Sequence, residues 1–120
     1  MNKQETRQVK NQLLRKYIIL ESAQKEFSYH DFIVDCYTHN LSEAGTNLLA
    51  LEILAKLFED NTGYLQDFIY TFMVNLKYRL HAHDEKLLGM IWENSRLANN
   101  NYTAHNLRTL WIDMKESQGK

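Results

Sequence analysis

Between residues 44 and 58 the sequence leaves almost no direction free of apolar side chains. Placed at 100° per residue, Ala44, Leu48, Leu51, Leu54, Ala55 and Phe58 fill one side, and Leu49, Ile53 and Leu57 fill much of the other. Glu52, Lys56 and Glu59 form only a narrow polar wedge. A helix that is apolar nearly all round belongs inside a small protein, with the other elements packed about it. Asn61-Thr62-Gly63 interrupts the pattern, and residues 64–80 resume it as one stripe of Leu65, Phe68, Ile69, Phe72, Met73, Leu76 and Leu80. The expectation is an all-α fold, a compact bundle of about six helices built around a central helical hairpin spanning residues 43–82.

Length and composition agree with that expectation. A chain of 120 residues has room for one domain, 1–120, and buries roughly 65–70% of its unfolded surface, enough for a core without staples. Proline is absent and glycine occurs four times, which suits long helices with short turns and argues against a turn-rich β-sandwich. Hydrophobic residues at 44% against charged residues at 24% argue against extended disorder. The lone Cys36 has no internal disulfide partner, the first residues carry no apolar leader-like run, and no uncharged stretch approaches 18 residues. Those features point to a reduced, cytoplasmic, non-membrane protein.

In chain order, residues 3–26 read as a first helix, with Val9, Leu13, Tyr17, Leu20 and Phe27 on one face and Leu14 and Ile18 on the other. Ser28 reads as an N-cap, with Asp31 in the first turn of a short helix that runs to about His39 and buries Phe32, Ile33, Cys36 and Tyr37. Asn40 ends it, and Ser42 with Glu43 restarts the chain into the central helix. After the hairpin, residues 81–84 form a corner. A fifth helix to about Ala98 offers Leu87, Leu88, Ile91 and Trp92. Thr103 is the expected cap of a sixth helix carrying Leu107, Leu110, Trp111 and Met114. Three hairpins at a spacing of about 40 residues raise a solenoid as the alternative. No position recurs from hairpin to hairpin, which favours the bundle.

The chemistry-bearing residues do not assemble a catalytic, cofactor or metal site. His81 and His83 share a corner, but positions i and i+2 of a helix point about 200° apart, and no i, i+4 histidine pair or second cysteine completes a zinc spacing. His30-Asp31 is a dipeptide with no further ligands placed by pattern. Cys36 has His39 one turn later, yet it lies on an apolar face among acids, where a cysteine acts as a small hydrophobe with a raised pKa. No phosphate-binding glycine loop or nucleophile elbow occurs. The expectation is a protein that is not an enzyme.

Charge is segregated along the chain. Residues 1–25 carry six basic side chains against Glu5 and Glu21, a balance of +4, while residues 26–67 carry eight acids against Lys56, a balance of −7. A helix-turn-helix drawn over residues 31–58 would present Glu43, Glu52 and Glu59 to phosphates, which repel it. Nucleic-acid or acidic-partner contact therefore falls to Lys3, Arg7, Lys10, Arg15 and Lys16, as the second functional reading. The first reading rests on a surplus of aromatic residues. Opposite its core stripe, the second helix of the hairpin carries Asp67, Tyr70, Val74 and Tyr78, and tyrosines are enriched at interfaces because a rigid ring buries area while its hydroxyl stays satisfied. That face, unless covered within the chain, is where a protein partner or a second copy in a homodimer would dock. The corresponding function is that of an adaptor, inhibitor or regulatory subunit.

Overall fold

A computed structural model describes residues 3–22, 29–59 and 66–118, and within them the side chains of residues 4–17, 29–59 and 72–117. Among the described residues six helices follow one another: α1 Lys3–Ser22, α2 Tyr29–Thr38, α3 Glu43–Glu59, α4 Gln66–Lys77, α5 Ala82–Asn94 and α6 Asn100–Gln118. No strand occurs among the described residues. The radius of gyration is 13.6 Å, the value of about 13–14 Å expected for a compact chain of this length. The all-α bundle expected from hydrophobic periodicity is the fold observed.

The all-round apolar surface of α3 dictates its place. Eleven of its residues are buried, among them Leu49, Leu51, Ile53, Leu54 and Leu57, and α1, α2, α4 and α6 all pack against it. Its most extensive contact is with α6 rather than with its hairpin partner α4. The two run antiparallel, since Arg108 pairs with Glu59 while Met114 and Ser117 lie beside Ser42–Asn47. α5 stands outside this ring, packs on α4 and α6, and buries only Leu88 completely. Among the described residues no helix is long and apolar enough to cross a membrane.

Local signals set the helix boundaries. Asn40 adopts φ 64°, the left-handed conformation that asparagine tolerates best after glycine. With Leu41 N–H donating to Cys36 O at 3.0 Å and Asn40 N–H to Tyr37 O at 3.0 Å, this is a Schellman motif, and the buried Leu41 supplies its apolar contact. Ser42 caps α3, its Oγ accepting from Gly45 N–H at 3.0 Å. The sixth helix starts differently from expectation. Thr103 lies inside α6, with its hydroxyl bonded back to Asn99 O, and Asn99 is the cap, its Oδ1 accepting from Tyr102 N–H at 2.8 Å. Asparagine outranks threonine as a cap. α5 closes at Asn94, four residues before Ala98, and a turn through Ser95 and Leu97 follows.

α2 is rotated from its expected facing. Phe32, Ile33 and Cys36 are buried, but Tyr37 is 47% exposed and Tyr29 is buried in its stead. Positions 29, 32, 33 and 36 keep the i, i+3, i+4, i+7 template, and an aromatic cluster selects this phase. Tyr29 meets Phe72 edge-on at 4.8 Å, Phe32 meets Phe72 at 5.1 Å, and Tyr17 meets Phe32 edge-on at 5.0 Å. Rings from α1, α2 and α4 thus interlock in the offset and edge geometries that aromatic quadrupoles favour. The proposed Ser28 cap and the end of the first helix beyond Ser22 lie outside the described residues.

Candidate functional site

The tyrosine face expected on α4 is described at two of its four positions. Val74 is half-buried, and Tyr78, in the turn after the last residue of α4, is 81% exposed. The side chains of Asp67 and Tyr70 lie outside the described residues. A second exposed pair, Val34 at 49% and Tyr37 at 47%, occupies the outer side of α2 at i, i+3 spacing. The two regions approach one another around Tyr29. The Arg79 guanidinium lies 5.6 Å from that ring, and Tyr37 is near enough to raise the pKa of the Tyr29 hydroxyl, which burial already raises.

Of the basic residues of α1, Lys16 is engaged by α2. Lys16 Nζ donates to Asp35 Oδ2 at 2.5 Å, and the buried Tyr17 donates its hydroxyl to the same oxygen at 2.9 Å. His39 closes the group from one turn further along α2, its Nδ1 lying 2.8 Å from Asp35 O. Burial would raise the Asp35 pKa, but the hydrogen bonds from Lys16 and Tyr17, with the charges of Lys16 and His39, outweigh it and hold the carboxyl below its ordinary value. A carboxylate so held is a weaker base than a free aspartate. Its work is to pin α1 to α2 while satisfying a buried hydroxyl. Arg15 is exposed, and the Lys3 side chain lies outside the described residues.

Arg7 and Lys10 face elsewhere. With Thr6, Asn11, Leu48, Glu52, Trp111 and Lys115 they line a groove of about 480 Å³ between α1, α3 and α6. It adjoins a second hollow of about 340 Å³ that shares Glu52 and Trp111 and ends at the Arg108–Glu59 pair. Lys115 rests its ammonium 4.8 Å above the Trp111 ring, a favourable cation–π arrangement. The half-buried Glu52 has its pKa raised by desolvation, against the pull of Lys10 and Lys115. Three cations around one reluctant acid leave this end of the groove positive.

A third cavity, of about 600 Å³, lies where the start of α3, the α4–α5 corner and the end of α6 meet. Ser42, Glu43, Ala44, Asn47, Arg79, Leu80, His81, Asp84, Met114 and Ser117 line it. Asn47 is only 7% exposed. Its Nδ2 donates to Arg79 O at 3.4 Å, while its Oδ1 is buried and has no hydrogen-bond partner among the described residues. Neither this cavity nor the groove follows from local sequence pattern, because each joins residues from distant helices.

Cys36 is fully buried, and burial pushes its thiol up to about 11. His30, His81, His83 and His105 are exposed. Among the described residues no three His, Cys, Asp or Glu side chains are placed to hold a metal ion. No known protein family, characterised protein or solved structure matches this chain.

Proposed function

We propose that this protein is a non-enzymatic, cytoplasmic helical binding protein that works through protein–protein contact, as an adaptor, inhibitor or regulatory subunit. The observation that carries this reading is the exposure of Tyr78, 81%, while Tyr17, Tyr29, Phe32 and Phe72 interlock inside the bundle. A tyrosine that contributes nothing to its own core is a rigid, low-entropy anchor for another surface. Tyr37 and Val34 on the outer side of α2 extend the area available to a partner. A second copy of the chain is one such partner, because a two-fold dimer lets a patch meet its own copy.

The test compares wild type with a Tyr37→Glu, Tyr78→Glu double variant of matching melting temperature. Light scattering at tens of micromolar is expected to report an assembly for wild type and a monomer for the variant. Should wild type be monomeric, affinity capture on both proteins is expected to retain proteins that the variant loses. Equal retention by the two would end the reading.

The phosphate-binding alternative draws on a different observation, the clustering of Arg7 and Lys10 with Lys115 at the mouth of one groove. It predicts nuclease-sensitive capture, and a binding constant falling linearly with salt on logarithmic axes with a slope set by roughly three contacts.

A further inference from the structure

Some cations of this molecule are answered and others are not. Lys16 is held by Asp35 and Arg108 by Glu59. Arg7 and Lys10 make no ion pair among the described residues. They nevertheless converge with Lys115 on one end of the groove between α1, α3 and α6. Lys10 is placed unfavourably even without those neighbours. Its Nζ lies 3.9 Å from the point that a Cβ on Gly45 would occupy, beside the first turn of α3, where the helix dipole disfavours a cation. Glu52 does not cancel the excess, being one acid among three cations, and burial raises its pKa. Like charges gathered in this way repel one another, and an anion placed among them relieves the repulsion.

The adjoining hollow is of another kind. It shares Glu52 and Trp111 with the groove, and Leu14 and Ala55 give it a hydrocarbon wall. Of its remaining charged residues, Arg108 and Glu59 answer one another and Lys56 is exposed. The two spaces, about 480 and 340 Å³, together match the roughly 300–1,000 Å³ of small-molecule sites. Cations at one end and an apolar wall with an indole at the other suit an anionic head on a hydrocarbon tail.

We propose that the joined groove and hollow between α1, α3 and α6 bind a free medium-chain alkyl oxyanion, a carboxylate or a phosphate monoester. Arg7, Lys10 and Lys115 surround its head, and Leu14, Ala55 and Trp111 line its tail. The Arg7 fork matches two oxygens at once, and the lysines add point charges. The inference rests on neither reading above: it assigns the same cations a different class of ligand from nucleic acid, and it needs no tyrosine contact.

The probes are octanoate and octyl phosphate, with acetate as a head without a tail and octanol as a tail without a head. Each is titrated at constant ionic strength, below any micellar range, while NMR follows the indole N–H signals of Trp111 and Trp92, assigned through Trp92→Phe. Saturable shifts are expected at Trp111 and not at Trp92, and the tighter of the two amphiphiles names the head. From butanoate through hexanoate to octanoate the affinity is expected to climb, by at most about fourfold per methylene. Arg7→Gln and Lys10→Gln are each expected to weaken octanoate about tenfold, the loss of one charge-assisted contact. Glu52→Gln is expected to tighten it severalfold, because an acid leaves the neighbourhood of the head. Arg7 is exposed, so Arg7→Gln carries the test if Lys10→Gln does not fold. Affinity independent of chain length, octanol binding as tightly as octanoate, or no saturation at Trp111 would overturn the proposal. A single-stranded oligonucleotide separates this site from the nucleic-acid reading. If it binds and both amphiphiles do not, the proposal falls alone; if the amphiphiles bind and it does not, the nucleic-acid reading falls alone.

Discussion

α3 and α6 are each other's main neighbours and are of similar length, yet they face opposite demands. α3 buries eleven residues on every side. α6 buries a stripe of Thr103, Ala104, Leu107, Leu110 and Met114 and leaves Ile112 46% exposed. The exposed polar groups of α6 have access to water, whereas those buried in α3 need partners from the protein. Thr46 finds one in Ser42 O at 2.8 Å, and Asn47 finds half of one. The difference between the two helices is that an unmet hydrogen bond matters only where solvent cannot supply it.

The contrast between the two helices breaks most readily in the apolar contact they share. Leu51→Ala and Leu54→Ala in α3 are each expected to cost about 2–5 kcal/mol in urea unfolding, as is Leu107→Ala in α6, another fully buried side chain. Ile112→Ala, on the outer side of α6, is expected to stay within about 0.5 kcal/mol. Losses below about 1 kcal/mol at both Leu51 and Leu54 would displace α3 from the centre of the fold.

A second measurement weighs the hydrophobic α3–α6 contact against the polar α1–α2 contact. Asp35→Asn removes the acceptor charge shared by Lys16 and Tyr17, and a loss of about 1 kcal/mol is expected at pH 7. The folded-state pKa of Asp35 lies below its ordinary value, so the stabilisation is present above the ordinary aspartate range and disappears as pH falls through the folded value. Urea melts of both proteins should therefore draw together as pH falls below the ordinary aspartate range. A gap that persists there would show that Asp35 acts through shape rather than charge.

The smallest effect sharpens the picture at the groove. Glu52 has a raised pKa, so wild type loses stability as pH rises from the ordinary glutamate range through that raised value. Glu52→Gln does not titrate and is expected to gain on wild type between pH 4 and pH 7, by less than about 1 kcal/mol because the group keeps access to solvent. A variant that loses ground over that interval would mean that Lys10 and Lys115 outweigh desolvation.

The readable part of the sequence was the part governed by short-range repetition. The all-round apolar pattern placed α3 at the centre, and the local chemistry of Asn40 and Ser42 marked the break before it, since caps depend on residues within one turn. α2 carried two compatible stripes. Tyr37 and Tyr29 are equally plausible members of a helical face, and the choice was made by Phe72 on a helix some forty residues away. The Asp35 junction joins residues 18 and 19 apart in sequence, and the Asn47–Arg79 bond spans 32. No periodicity encodes such pairings. Polar contacts between helices are therefore where reading the chain alone runs out, and both the groove and the cavity at the start of α3 bring such distant residues together.

The pairing of α3 with α6 also sets an order of events during synthesis. Leu51 and Leu54 leave the ribosome well before the residues that cover them, and Met114 follows Glu59 by 55 positions (114 less 59). At roughly 5–20 residues per second, that interval lasts about 3–11 seconds. Through it, the most apolar helix of the chain is covered by α1, α2 and α4 but open along one flank, a surface suited to chaperones or to another nascent copy. A chain halted before Asn100, the start of α6, would keep that flank open for its lifetime.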